Sequence, residues 1–156
     1  MSELELELQR LTPERRARDA DEVADLLRVL GDLRADEVAE RVVADPGSDD
    51  PGSDVGARRQ AEAWLAELAA ARRAMRITVA GETRWAAVED AARFRDALGV
   101  PPPPGLPAAF LEPVERPTVD LVARYARTHG PFIPADVTAR LGLPARRRRP
   151  AGPAGR

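Results

Sequence analysis

The side chains able to do chemistry in this sequence are almost all guanidinium groups. All 24 basic residues are Arg; Lys, Asn and Cys are absent, and His129 is the only histidine. Without Lys there is no P-loop ammonium to reach the terminal phosphates of a nucleotide, and no amine for a Schiff base. Without Cys there is neither a disulfide framework nor a thiolate metal site. A single His excludes a His-rich metal or proton-relay site. Glu89 and Asp90 are adjacent carboxylates, but they stand where a helix begins, a place that favours capping. His129, ahead of Gly130, suits a helix end. No catalytic residue and no metal ligand is assigned.

Guanidinium groups bind phosphate well, and their positions matter more than their number. Arg72, Arg73, Arg76 and Arg84 surround a predicted β-hairpin, where they would hold phosphates without reading sequence. Arg58 and Arg59 lie near the start of the helix before it, where base edges are usually met. Trp85, on the hairpin, is a candidate for stacking on a base. Each has a plainer reading beside it. The Arg residues also fit a solvated, partly acid-paired surface in a chain whose Ala, Arg, Gly and Pro bias suggests a GC-rich gene. Trp85 also fits packing against its own domain. Trp64 lies on an apolar helical stripe and is assigned to the core.

Charge is unevenly spread. Residues 1–55 hold 16 acidic and 7 basic side chains, and residues 56–156 hold 10 acidic and 17 basic. The nets of −9 and +7 point the second part toward a polyanion or an acidic partner, or the two parts toward each other. No apolar run approaches the roughly 20 residues of a membrane helix. Met1 is not followed by a basic and then apolar leader. The expected location is cytoplasmic, with no membrane partner.

The elements that position these residues can be read from periodicity. Leu4, Leu6 and Leu8 alternate with Glu and predict a short strand within a lead-in over 1–18. Helices are predicted over 19–31, 35–44 and 57–73, the last with the stripe Ala61, Trp64, Leu65 and Leu68. A Pro-, Gly- and Asp-rich loop fills 45–53. The runs 75–80 and 84–88 flank Gly81 and predict a β-hairpin, followed by a helix over 89–98. Pro at 101, 102, 103, 104, 107, 113 and 117 marks an extended connector over 100–117. Phe110 and Leu111 are placed to pin it to a surface. A helix over 118–129, a short strand at Gly130-Pro131-Phe132-Ile133 and a helix over 135–141 follow. Residues 144–156 contain only Ala, Arg, Pro and Gly and are expected to be a disordered tail. Arg146 to Arg149 there are a loose site for counterion release or an unselected tail.

Helix, short helix, helix and hairpin is the order of a winged helix, with the hairpin as the wing. The expected fold is mainly α with a small β-hairpin (α+β). It comprises a winged-helix domain over 19–99 and an incomplete second winged-helix unit over 118–143. Leu121, Val122, Tyr125 and Leu141 of that unit need cover from elsewhere.

The residues carry a resemblance as well. The stretch 80–99, with Gly81-Glu82-Thr83-Arg84-Trp85 and Arg93-Phe94-Arg95-Asp96, resembles the C-terminal region of Lhr-type (large helicase-related) ATP-dependent DNA helicases. So do Asp120-Leu121-Val122-Ala123-Arg124-Tyr125, Leu11-Thr12-Pro13-Glu14-Arg15-Arg16 and Asp25-Leu26-Leu27. The similarity covers roughly residues 10–143. It implies tandem winged helices from a DNA-repair helicase whose ATP and Mg are held by two RecA-like domains. Those domains and their motifs are not in this sequence, so the resemblance implies no cofactor for this chain. It implies a non-catalytic DNA-binding fragment, with single- or double-stranded DNA as partner. The alternatives are a protein-interaction module docked on a helicase core, or a gene remnant without independent activity. A base-excision enzyme lacks an acid–base pair to support it.

Overall fold

A computed structural model of the chain describes residues 2–44, 54–129 and 134–143. The expected loop at 45–53, the short strand at 130–133 and the tail at 144–156 lie outside the described residues. The elements are α1 (Glu3–Leu8), α2 (Ala20–Leu30), α3 (Ala35–Ala39), α4 (Asp54–Ala70), β1 (Ala74–Val79), β2 (Glu82–Ala87), α5 (Ala91–Leu98), α6 (Pro117–Thr128) and α7 (Pro134–Leu141). Short 3-10 turns occur at Pro13–Arg15, Val88–Asp90 and Ala108–Leu111.

Local chemistry explains most boundaries. Asp19 caps α2, its Oδ1 accepting from the Glu22 N–H at 2.8 Å. Gly31 ends α2 at φ 88°. Glu37 Oε1 accepts from the Arg34 N–H at 2.9 Å and fixes the start of α3. Ala80 and Gly81, both at positive φ, make a two-residue hairpin turn, and Val79 pairs with Glu82. The turn is therefore one residue earlier and tighter than the Gly81-Glu82-Thr83 connection read from the sequence.

Three expectations need correction. Leu4 to Leu8 form helix, not strand. Ser2 Oγ accepts from the Glu5 N–H at 3.2 Å, and Glu3 and Glu5 stand in the first turn. Leu and Glu are strong helix formers, and no described strand lies alongside for a strand to pair with. The second helix stops at Ala39 rather than running to 44. Beyond it the chain extends, and Val42 forms a parallel bridge with Ala17, the Ala17 N–H donating to Arg41 O and the Val43 N–H to Ala17 O, both at 2.8 Å. The third helix spans Asp54–Ala70 instead of 57–73. Arg72, left-handed at φ 58°, closes it, its N–H donating to Ala69 O and that of Arg73 to Leu68 O.

The hairpin divides two cores. Val23, Leu26 and Leu27 of α2, Val38 of α3 and Leu65 and Leu68 of α4 pack on one side with Ala74 and Ala87. Trp64 joins this core half-buried. Met75, Ile77, Val79 and Ala86 face the other way, onto Phe94, Leu121, Val137 and Leu141. Helices α6 and α7 thus find their cover on this face of the hairpin. Fully burying each such aliphatic side chain contributes about 1.5–3 kcal/mol. The Pro-rich connector is pinned too: Val100, Leu106 and Phe110 pack on the second core, whereas Leu111, expected beside Phe110, is not part of that cluster.

Candidate nucleic-acid interface

Helix α4 and the outer face of the hairpin form the surface that a winged helix turns toward nucleic acid. Alternation puts Arg76 and Thr78 of β1 on that face, opposite Trp85 and Thr83 of β2. The Arg76 guanidinium lies 5.5 Å from the centroid of the Trp85 ring, a cation–π pair on the surface. Trp85 is half-buried and packs against the first core, the plainer of its two readings, and its backbone is locked to Leu33. The Leu33 N–H donates to Trp85 O at 2.9 Å and the Trp85 N–H to Leu33 O at 2.7 Å. The wing is therefore braced at its root by a bridge from the segment between α2 and α3.

The other candidates take distinct places. Arg59 is exposed and meets no partner among the described residues. Arg58 is exposed and pairs one turn along with Glu62, Nε to Oε1 at 3.2 Å. So exposed a pair is worth a few tenths of a kcal/mol, about 0.3–0.5, and gives way readily to a phosphate. Arg72 donates to Gly105 O at 2.9 Å and ties the Pro-rich connector to the end of α4. Arg73 pairs with Asp21 of α2, and that hydrogen bond raises its pKa. Both have structural employment. The surface the sequence suggested contracts to Arg58, Arg59, Arg76 and Trp85.

Arg84 is a correction. It is 1% exposed, so it does not reach a phosphate. Nη1 lies 2.7 Å from Asp32 Oδ2 and also donates to Arg140 O; Nη2 lies 2.7 Å from Glu82 Oε1. Burial lowers its pKa and its acidic partners raise it, with the net shift upward. Hydrogen bonds from Arg84 first, and then from Arg34, push the Glu82 carboxyl down to about 2. Arg140 of α7 donates to both Glu37 oxygens at 2.9 Å and to Asp32 O at 2.6 Å. This hub joins α3, the wing and α7. The sequence carried no sign of it, because Arg84 and Asp32 are 52 residues apart. On β2, Arg84 and Trp85 point to opposite faces, and composition alone does not choose between them.

A second buried link joins α6 to the segment ahead of α5. Arg124 of α6 holds Asp90 bidentately, with both distances 2.8 Å, and Arg93 completes the cluster. Asp90 precedes α5 but makes no side-chain capping hydrogen bond; in place of the cap read from the sequence, its carboxylate is an anchor for Arg124 and Arg93. His129 stacks on Tyr125 with centroids 3.7 Å apart, its Nδ1 2.9 Å from Tyr125 O. Burial pushes its pKa down, which favours the neutral ring. A cavity of about 140 Å³ between α2, α6 and α7 is lined by Arg41, Arg124 and Arg140, each bonded to protein. Among the described residues no group of His, Asp or Glu is arranged to hold a metal, and no helix is long and apolar enough to cross a membrane.

Comparison with known proteins agrees with this geometry. The family described as large helicase-related protein, winged-helix domain, matches residues 1–113. The match takes in α1 and much of the connector, beyond the 19–99 read as the domain. A Lhr helicase/probable uracil glycosylase of Mycolicibacterium smegmatis (strain ATCC 700084 / mc(2)155) is 51% identical over 140 residues, 90% of this chain. A Lhr helicase/uracil glycosylase of Escherichia coli (strain K12) is 38% identical over 127 residues, 81% of this chain. The chain spans about 8% of the length of each relative. With its hairpin braced on α2–α4 and matched across most of its length, the chain belongs to the large helicase-related family and carries that family's winged-helix domain.

Proposed function

We propose that this chain is a nucleic-acid-binding module of a large helicase-related protein, non-catalytic in itself, that holds DNA for activities lodged elsewhere. The observation that carries this reading is the cation–π pair of exposed Arg76 and half-buried Trp85 on the wing, with Arg59 exposed on α4 and without a side-chain partner among the described residues. The relatives are named for helicase and uracil glycosylase activities. Work of that kind, in DNA repair in the cytoplasm, needs a strand held in place. ATP and Mg would serve an ATPase core and not these residues.

Binding by this surface is independent of sequence. Helix α4 offers Arg58 and Arg59 against Asp54, Glu62 and Glu67, and contains no Asn and one Gln, Gln60. Base-edge readout needs several such donors in the groove; phosphate contact needs only charge. Fluorescence anisotropy with labelled DNA tests the reading. Binding should weaken with salt, and Arg59→Ala/Arg76→Ala should reduce the magnitude of the log–log salt slope by about 2. A folded protein whose binding ignores both changes would refute the wing assignment.

A second reading has one observation in its favour. The outer side of α4 exposes Val55, Ala63, Ala66 and Ala70, small apolar residues in line with Arg59, and the helix has an acidic balance. That suits packing against a helicase core better than against DNA. Co-purification with such a core, with no DNA affinity, would favour it.

A further inference from the structure

Away from α4 and the wing, the elements α1, α2 and α6 enclose a groove of about 420 Å³. Arg10, Arg15, Arg28 and Arg127 line it, with Glu7 as the one carboxylate among the lining residues. Arg28 is spoken for by Asp25 at 2.8 Å. The guanidinium groups of Arg10, Arg15 and Arg127 have no hydrogen-bond or ion-pair partner among the described residues. With Glu7 as the one carboxylate against three guanidinium groups that lack a bonded partner, the groove carries a net positive charge that favours an anion.

Arg10 adds an independent observation. It occupies the left-handed position after α1, at φ 60°, with its N–H donating to Glu7 O at 3.0 Å and that of Leu11 to Leu6 O at 2.9 Å. Glycine is the residue this helix ending prefers. Arg72 occupies the same place after α4, but its side chain ties down Gly105 O. Arg10 has no such tie. A long side chain stands where the backbone conformation favours none, and it lines the groove. Leu8 and Val29, exposed at 40% and 39%, form an apolar wall beside the charges.

We infer that the α1–α2–α6 groove is a second nucleic-acid site, in which Arg10, Arg15 and Arg127 hold the phosphodiester backbone. The inference rests on the proposed nucleic-acid-binding reading, but on none of the residues of the wing. Phosphate is the anion that several forked cations on different elements can share, and the apolar wall suits a sugar face. Together with the wing, the groove gives the chain two backbone contacts on different elements.

The test is an anisotropy titration with labelled single-stranded and duplex DNA over a range of salt. Arg10→Gly alone should raise Tm, because glycine relaxes the helix ending, and yet weaken binding. A purely structural Arg10 would not lose affinity as it gained stability. Arg10→Gly/Arg15→Ala/Arg127→Ala should lower the salt slope by about 2 for single strands and nearly 3 for duplex, from 0.7 and 0.9 per phosphate contact. The oligonucleotide showing the drop identifies the strand form held. The matching change of Arg15 and Arg127 to Lys should keep most of the slope. DNA binding that survives the triple change intact overturns the groove and leaves the wing standing. Loss in the triple variant with none in Arg59→Ala/Arg76→Ala supports the groove and removes the wing. No binding of either DNA by the wild-type chain overturns both.

Discussion

Replacing Arg84 by Ala separates a structural from a DNA-contact role more sharply than any other single change. Asp32, itself 6% exposed, has Arg84 as its side-chain counter-charge. Its removal strands a buried carboxylate, which costs about 3–5 kcal/mol. The pair with Glu82 adds little, because Glu82 is 38% exposed and solvent screens it. For a chain of this size each kcal/mol moves Tm by about 2–4 °C, so the midpoint should fall by roughly 6–20 °C. Arg84→Met/Asp32→Leu removes both charges and should recover to within about 1–2 kcal/mol of the wild type. Circular dichroism melts measure both variants, and anisotropy below the transition measures DNA binding. The double variant should bind DNA as the wild type does. An unchanged Tm in Arg84→Ala, or a folded double variant that has lost its DNA affinity, would refute the buried hub.

Other outcomes follow from particular groups. Glu82 is held at about 2 against an ordinary value of 4.5, so its contribution is fully present above pH 4.5 and is lost as pH falls from there toward 2. Acid titration of Glu82→Gln, followed by circular dichroism, should show a shallower loss of stability across that window than the wild type. At Gly142 φ is +66°, and an added Cβ would lie 3.2 Å from the Ala80 backbone at the hairpin turn. Gly142→Ala should therefore destabilise the seat of α7 on the wing by about 1–2 kcal/mol, read by chemical denaturation.

Much of the fold was legible in the sequence, for local reasons. The stripe Ala61, Leu65 and Leu68 announced α4, and two β-rich runs about a Gly announced the hairpin. The misreadings are equally local in origin. Alternating Leu and Glu fits a strand by period, yet both residues favour helix, and Ser2 decides the matter by capping it. Leu4 is left 64% exposed, so the pattern did not report burial at all. The site was harder to read, because exposure of an Arg depends on partners distant in the chain. Arg84 found Asp32, Arg73 found Asp21 and Arg72 found Gly105. None of these pairings leaves a spacing that one sequence reveals. Arg10 and Arg127 meet across one groove for the same reason, and no local pattern marks them as neighbours.

If nucleic acid meets the wing, Trp85 on its Arg76 face reports the contact directly. Trp64→Phe leaves Trp85 as the single tryptophan, since the sequence has two. Its emission should be quenched as single-stranded DNA is added, in step with the rise in anisotropy of the labelled strand, and should return when salt releases the complex. Emission that stays constant while anisotropy shows a saturated complex would contradict the wing as the binding surface.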